Sequence, residues 1–150
     1  MKSKAIRKTF ILNCIVPVLF GAIIYLLFRE NTLFSGFVRR FVPFPKVPTN
    51  ALPNKIGLFI RYYLADMAWA YALTFAIGAI FEGDKRQILL SGTISIGFEA
   101  LIEGFQKTKW IPGTFDWKDI LLETATSVVA IILIKKMKRE KHYEKDHKSN

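Results

Sequence analysis

Glu99, Glu103 and Gln106 occupy positions i, i+4 and i+7 of an otherwise apolar run, which puts them on one face of a helix. The segment 113–119, Gly-Thr-Phe-Asp-Trp-Lys-Asp, follows after a short loop. Carboxylates gathered at the border of an apolar medium suit three kinds of chemistry. They divide into proton donor and acceptor, they bind a cationic ligand, or, as an oxygen-only set, they hold a hard cation such as magnesium or calcium. Arg61 and Asp66 upstream, and Asp116, Asp119 and Glu123 downstream, complete the candidate polar site.

Each of these residues also has a plainer role. Asp116 is placed to cap the helix that follows, with Asp119 at its third position. Arg61 and Asp66 suit a structural ion pair, and Tyr62, Tyr63, Trp69, Trp110 and Trp117 suit interfacial anchors. Glu99, about two turns inside its run, needs a partner, a proton or water. Residue supply removes other chemistries. The single cysteine, Cys14, lies in the first apolar run, and His142 and His147 both lie near the C-terminus, so neither a thiolate cluster nor a histidine triad is expected at the acids. Phosphate-binding glycine loops and dinucleotide fingerprints are missing, no cofactor is implied, and no nucleic-acid module accompanies the net charge of +10.

The elements that must position these residues read as membrane helices. Half of the 150 residues are apolar (51%), mean hydropathy is +0.25, and the charges fall mostly between long apolar runs. A span needs roughly 17–25 residues. The expectation is an all-α polytopic membrane protein, one domain over 1–150, with four transmembrane helices at about 10–28, 59–81, 88–105 and 117–134 and a basic tail, 135–150. The first run lacks a small-residue cleavage site after it and reads as an uncleaved helix with Pro17 as a potential kink. Small residues at Ala68, Ala72 and Ala76, at Ser91 and Ser95, and over 124–127 allow the last three helices to pack closely. The first helix, without such order, is expected at the periphery.

Of the 22 lysines and arginines, thirteen lie in the two terminal segments and the 82–87 turn, against nine on the opposite side. This bias favours both termini in the cytoplasm. The start of the second helix, the end of the third and the start of the fourth then meet at the outer face, bringing the candidate residues together. Reversing the orientation moves that cluster without scattering it. Leu33, Phe34, Phe37, Val38 and Phe41, with Arg39 and Arg40, suit a short helix lying in the interface. The proline-rich stretch 42–53 is either a stiff connector or a lid over the acids. The basic tail suits contact with anionic lipid, so the lipid bilayer is the expected partner.

Phe98-Glu99-Ala-Leu-Ile-Glu103-Gly-Phe-Gln106, followed by Pro112-Gly113-Thr-Phe-Asp116-Trp-Lys-Asp119, resembles the VanZ-like membrane proteins. Glu103 and Gln106 match that family's Glu-x-x-Gln helix end, and Gly113, Asp116 and Asp119 match the start of its next helix. Asp66-Met-Ala-Trp69-Ala-Tyr71 is similar to an earlier family element, with Trp69 in place of its histidine, while Glu123 stands where asparagine is common and Ser127 near a usual glycine pair. The resemblance, over roughly 60–134, implies an integral protein of the bacterial plasma membrane, in a family named for lowered susceptibility to the glycopeptide teicoplanin and without an established mechanism. Three function classes stand open: an envelope protein whose acidic pocket binds a cell-surface component, such as a cell-wall precursor or a glycopeptide, or a cationic, amphipathic ligand; an enzyme acting on a lipid-linked substrate; and a small proton-coupled transport subunit.

Overall fold

A computed structural model of the protein describes residues 2–29, 33–43, 45, 47, 54–81, 85–111 and 113–146. The described residues form helices and connecting turns: α1 (Lys2–Phe28), α2 (Leu33–Arg39), α3 (Lys55–Phe59), a π-helical turn (Ile60–Leu64), α4 (Ala65–Ile80), α5 (Lys85–Lys107) and α6 (Trp117–Asp146). α3, the π turn and α4 run on without a break. Three segments, Ile11–Phe28, Lys55–Ile80 and Arg86–Lys107, are long and apolar enough to cross a membrane, with hydropathies of 2.5, 1.3 and 1.5. Most of the proline-rich stretch lies outside the described residues. Of it, Val47 donates its N–H to the Leu27 carbonyl at 3.2 Å, tying it to the end of α1.

α4 is central. It packs against α1 on one side and against α5 and α6 on the other, and α5 and α6 pack on each other. α1 lies at the edge of the bundle, as expected: it packs chiefly on α4, and its span is the least buried of the three, 17% against 33%. α1 runs antiparallel along α4, with the Tyr71 hydroxyl bonded to Asn13 Oδ1 at 2.7 Å and the Trp69 indole N–H to the Val18 carbonyl at 3.3 Å. Tyr25 stacks on Trp69 with ring centroids 5.3 Å apart. Gly21 makes this approach feasible: a Cβ there would sit 2.6 Å from the Trp69 indole nitrogen and 3.0 Å from the Ala65 carbonyl. Small residues elsewhere in this face were not needed, because one glycine opposite a tryptophan and a row of side-chain bonds set the contact.

The bundle inverts the pattern of a water-soluble protein. Large apolar side chains are exposed on its flanks, among them Ile15, Leu19, Ile94, Leu101, Val129 and Ile132, a surface that suits lipid. Between α4, α5 and α6 the buried side chains include hydroxyls: Thr74, Ser91, Ser95 and Ser127 are all fully buried. The Thr74 hydroxyl reaches Ser127 Oγ at 3.1 Å and the Ala70 carbonyl at 3.0 Å. Interhelical bonds of this kind contribute roughly 0.6 kcal/mol each. One end of the bundle is closed by an apolar cluster of Phe75, Ile88, Ala130, Ile131 and Ile134. The polar residues fall at the other end.

Two helix termini define that polar end. α5 stops in a hydrogen-bonded reversal with Lys109 at φ 60°: Trp110 N–H bonds to the Phe105 carbonyl and Lys109 N–H to that of Gln106, both at 3.0 Å. These are the paired bonds of a Schellman ending, and the Trp110 and Phe105 rings stack at 5.5 Å, supplying its apolar contact. α6 then begins at Trp117 behind Asp116, whose Oδ1 accepts from the Lys118 N–H at 3.0 Å. The helix continues to Asp146, twelve residues past the expected end of the span, so the basic tail starts as helix. α2 falls where the interfacial helix was expected, with Phe37 and Phe41 exposed and Arg39 bonded to the Leu26 carbonyl at 2.7 Å.

Candidate functional site

The eight residues of the candidate polar site all line one cleft of about 1830 Å³ at the end of the bundle opposite the apolar cluster. Arg61 comes from the π turn, Asp66 from the first turn of α4, and Glu99, Glu103 and Gln106 from the second half of α5. Asp116 caps α6, and Asp119 and Glu123 follow on its next two turns. A π turn holds one residue more than an α turn and so changes which side chains face inward. Here Arg61 is buried, with 8% of its surface exposed, while Tyr62 stays half exposed at the cleft wall.

The two halves of the 103–119 motif touch. Glu103, 5% exposed, accepts the Asp116 backbone N–H on Oε2 at 3.1 Å. Gln106 lies across Gly113, where φ is +153° and a Cβ would come within 2.5 Å of the Gln106 amide. The conformation favours glycine there, and a larger residue would also push the Gln106 side chain aside. Asp116 serves in two ways, capping α6 with Oδ1 and accepting the Tyr63 hydroxyl on Oδ2 at 3.3 Å. The cap reading and the site reading of Asp116 describe the same side chain.

Deeper in the cleft, Glu99 is 8% exposed. Its Oε1 accepts from Ser95 at 2.9 Å and Ser127 at 3.5 Å. Ser95 also approaches the Ala70 carbonyl at 3.4 Å, so the three helices converge on this one carboxyl group. Ser95, Glu99 and Glu103 follow at four-residue intervals on α5, and Asp119, Glu123 and Ser127 do so on α6. The four-residue period lines each set along one helix face, and the Ser127–Glu99 contact brings the two faces together. Three carboxyl oxygens in this region, Glu99 Oε2, Asp119 Oδ1 and Glu123 Oε2, are buried without a hydrogen-bond partner among the described residues. Buried acceptors left in that state are costly and uncommon.

Arg29 is the residue that sequence reasoning missed. At the end of α1, its guanidinium bonds to Asp66 Oδ2 at 2.5 Å and to the Tyr62 carbonyl at 2.6 Å, and it sits 5.1 Å over the Tyr25 ring. The ion pair at Asp66 thus joins two distant helices, where a local pair with Arg61 was expected. The one available signal was an arginine immediately after a long apolar run. Trp69, expected as an interfacial anchor, instead packs on α1 and lines the cleft. Trp110 and Trp117 are exposed, 78% and 58%, as anchors would be. Among the described residues no group of three or more carboxylate, histidine or cysteine side chains is set to hold a metal ion.

No protein-family model, curated protein or solved structure matches this chain. Fold and cleft alone define its class: an all-helical protein with three helices of membrane-spanning length and character, compatible with a multi-pass membrane protein, and with an acid-rich cleft at one end of its bundle.

Proposed function

We propose that the protein is a VanZ-like envelope protein of the bacterial plasma membrane that binds a cell-surface component, a cell-wall precursor or a glycopeptide, in its acidic cleft and thereby lowers susceptibility to teicoplanin. In this reading the chain crosses the bilayer four times, both termini are cytoplasmic, and the cleft opens at the outer face. α6 serves as the fourth span. It begins with Lys118, Asp119 and Glu123, which lower its apolar character, yet Asp119 and Glu123 turn into the cleft and away from lipid.

One observation carries the proposal: polar residues from the π turn, α4, α5 and α6, none conspicuous alone, line a single cleft large enough for a substantial ligand. The contacts Glu103–Asp116 and Gln106–Gly113 also unite the residues on which the VanZ-like resemblance rests. A second reading, an enzyme acting on a lipid-linked substrate, draws on the unequal surroundings of the acids. Asp116 accepts two hydrogen bonds, whereas Asp119 Oδ1 and Glu123 Oε2 accept none, a difference that separates proton acceptors from donors.

The test is teicoplanin susceptibility of a sensitive Gram-positive host expressing the wild-type chain, Glu103→Gln or Asp119→Asn at matched membrane levels. The wild type is expected to lower susceptibility and both variants to lose the effect while still accumulating in the membrane. Equal susceptibility with wild type and empty vector would remove the antibiotic role.

A further inference from the structure

Glu99 is more than nine-tenths buried, lines the cleft, and has one buried carboxyl oxygen with no partner among the described residues; Asp119 and Glu123, also in the lining, each have one more. The lining as a whole carries six carboxyl groups against three guanidiniums, those of Arg29, Arg40 and Arg61. The complement of such a site is cationic and donates hydrogen bonds. A metal ion is a poor match, since no three ligating side chains are grouped for one among the described residues. A primary ammonium is a good match: it carries one positive charge and three N–H donors. Phe98, 56% exposed in the same lining, adds an aromatic ring of the kind that attracts a cation.

The shape says where the rest of the ligand goes. Phe37, Tyr62 and Phe98 line the cleft and are 62%, 51% and 56% exposed, so its rim is apolar. Phe98 continues along α5 into Ile94 and Leu101, one turn away on either side and both exposed on the flank of the bundle. An apolar chain leaving the cleft over Phe98 therefore stays on a lipid-facing surface. We propose that the inner end of the cleft, between Glu99 and Glu123, is a binding site for the primary ammonium headgroup of a membrane amphiphile whose tail leaves past Phe98. The inference rests on the cleft being a ligand site and specifies the chemistry of that ligand.

The experiment uses the full chain in uncharged detergent with Trp110→Phe and Trp117→Phe, two exposed positions outside the cleft, so that Trp69 alone reports. Dodecylammonium is titrated against dodecyltrimethylammonium, which has the same tail and charge but no N–H donor. Saturable quenching by dodecylammonium is expected, weakened about tenfold or more by trimethylation and by Glu99→Gln or Glu123→Gln. Equal responses to the two headgroups, or Gln variants that respond as their parent does, would overturn the site. Where a Gln variant does not yield folded protein, the headgroup comparison on the parent decides alone. Failure here with the teicoplanin effect intact removes the ammonium and leaves the proposed function standing; ammonium binding without that effect does the reverse.

Discussion

At the scale of single residues, the contact that best accounts for the geometry of the cleft is Arg29 with Asp66. Both side chains are mostly buried, 29% and 17% exposed, and each would be left with an uncompensated charge if the other were removed. Arg29 also holds the Tyr62 carbonyl, within the π turn. A double-mutant cycle with Arg29→Gln and Asp66→Asn is expected to give a coupling of about 1–3 kcal/mol in detergent unfolding. Additive single effects would show that the pair is incidental to stability. Glu99 differs in kind, because its hydroxyl partners Ser95 and Ser127 satisfy only one oxygen. Asp116 differs again, serving cap and cleft at once.

At the scale of elements, α1 is a wall of the site. Its row of contacts, Asn13–Tyr71, Val18–Trp69, Tyr25–Trp69 and Arg29–Asp66, advances along α4 turn by turn. At Gly21 there is no room for a side chain between the two helices. Gly21→Val is expected to destabilise by about 1–3 kcal/mol, because its branched side chain would meet both an indole and a backbone carbonyl. Thermal unfolding checks the stability loss, and Trp69 emission, shifted as the ring loses its seat against α1, checks its cause. A valine accommodated without either change would mean that α1 is loosely held. The ends of α5 and α6 work together in the same way: the reversal at Lys109 and the Asp116 cap set the short connection that brings Glu103 to the start of α6.

At the scale of the whole molecule, the polar and apolar ends of the bundle give it a direction. α1 ends, α4 begins, α5 ends and α6 begins at the cleft, as antiparallel succession requires. The four-span topology proposed above makes a definite statement about two exposed positions, Thr114 and Lys136. In a Cys14→Ser background, Thr114→Cys is expected to react with an impermeant maleimide in intact cells, and Lys136→Cys only after permeabilisation. Labelling of both from one side would show that α6 lies along the membrane without crossing it. Across its 30 residues α6 is about 45 Å long, more than a bilayer core of roughly 30 Å demands, so in the proposed topology its basic end would project beyond the span.

Apolar runs and the charges between them were enough to read, from the chain alone, an all-helical architecture and which helix ends gather the acids. Those features follow from local composition and from the four-residue helical period, which holds wherever the helix is packed. The period also placed Glu99, Glu103, Asp119 and Glu123 on common faces. Helix packing is non-local, and there the linear pattern was silent. Which helix lies against α4 depended on one glycine facing one tryptophan; which arginine meets Asp66 depended on that packing, 37 residues away along the chain. The π turn that buries Arg61 and the union of Ser95, Ser127 and Glu99 are likewise products of tertiary contact. Composition determined that the acids would share one end of the bundle; only the packed helices decided which carboxyl oxygens would be satisfied and which would be buried without a partner.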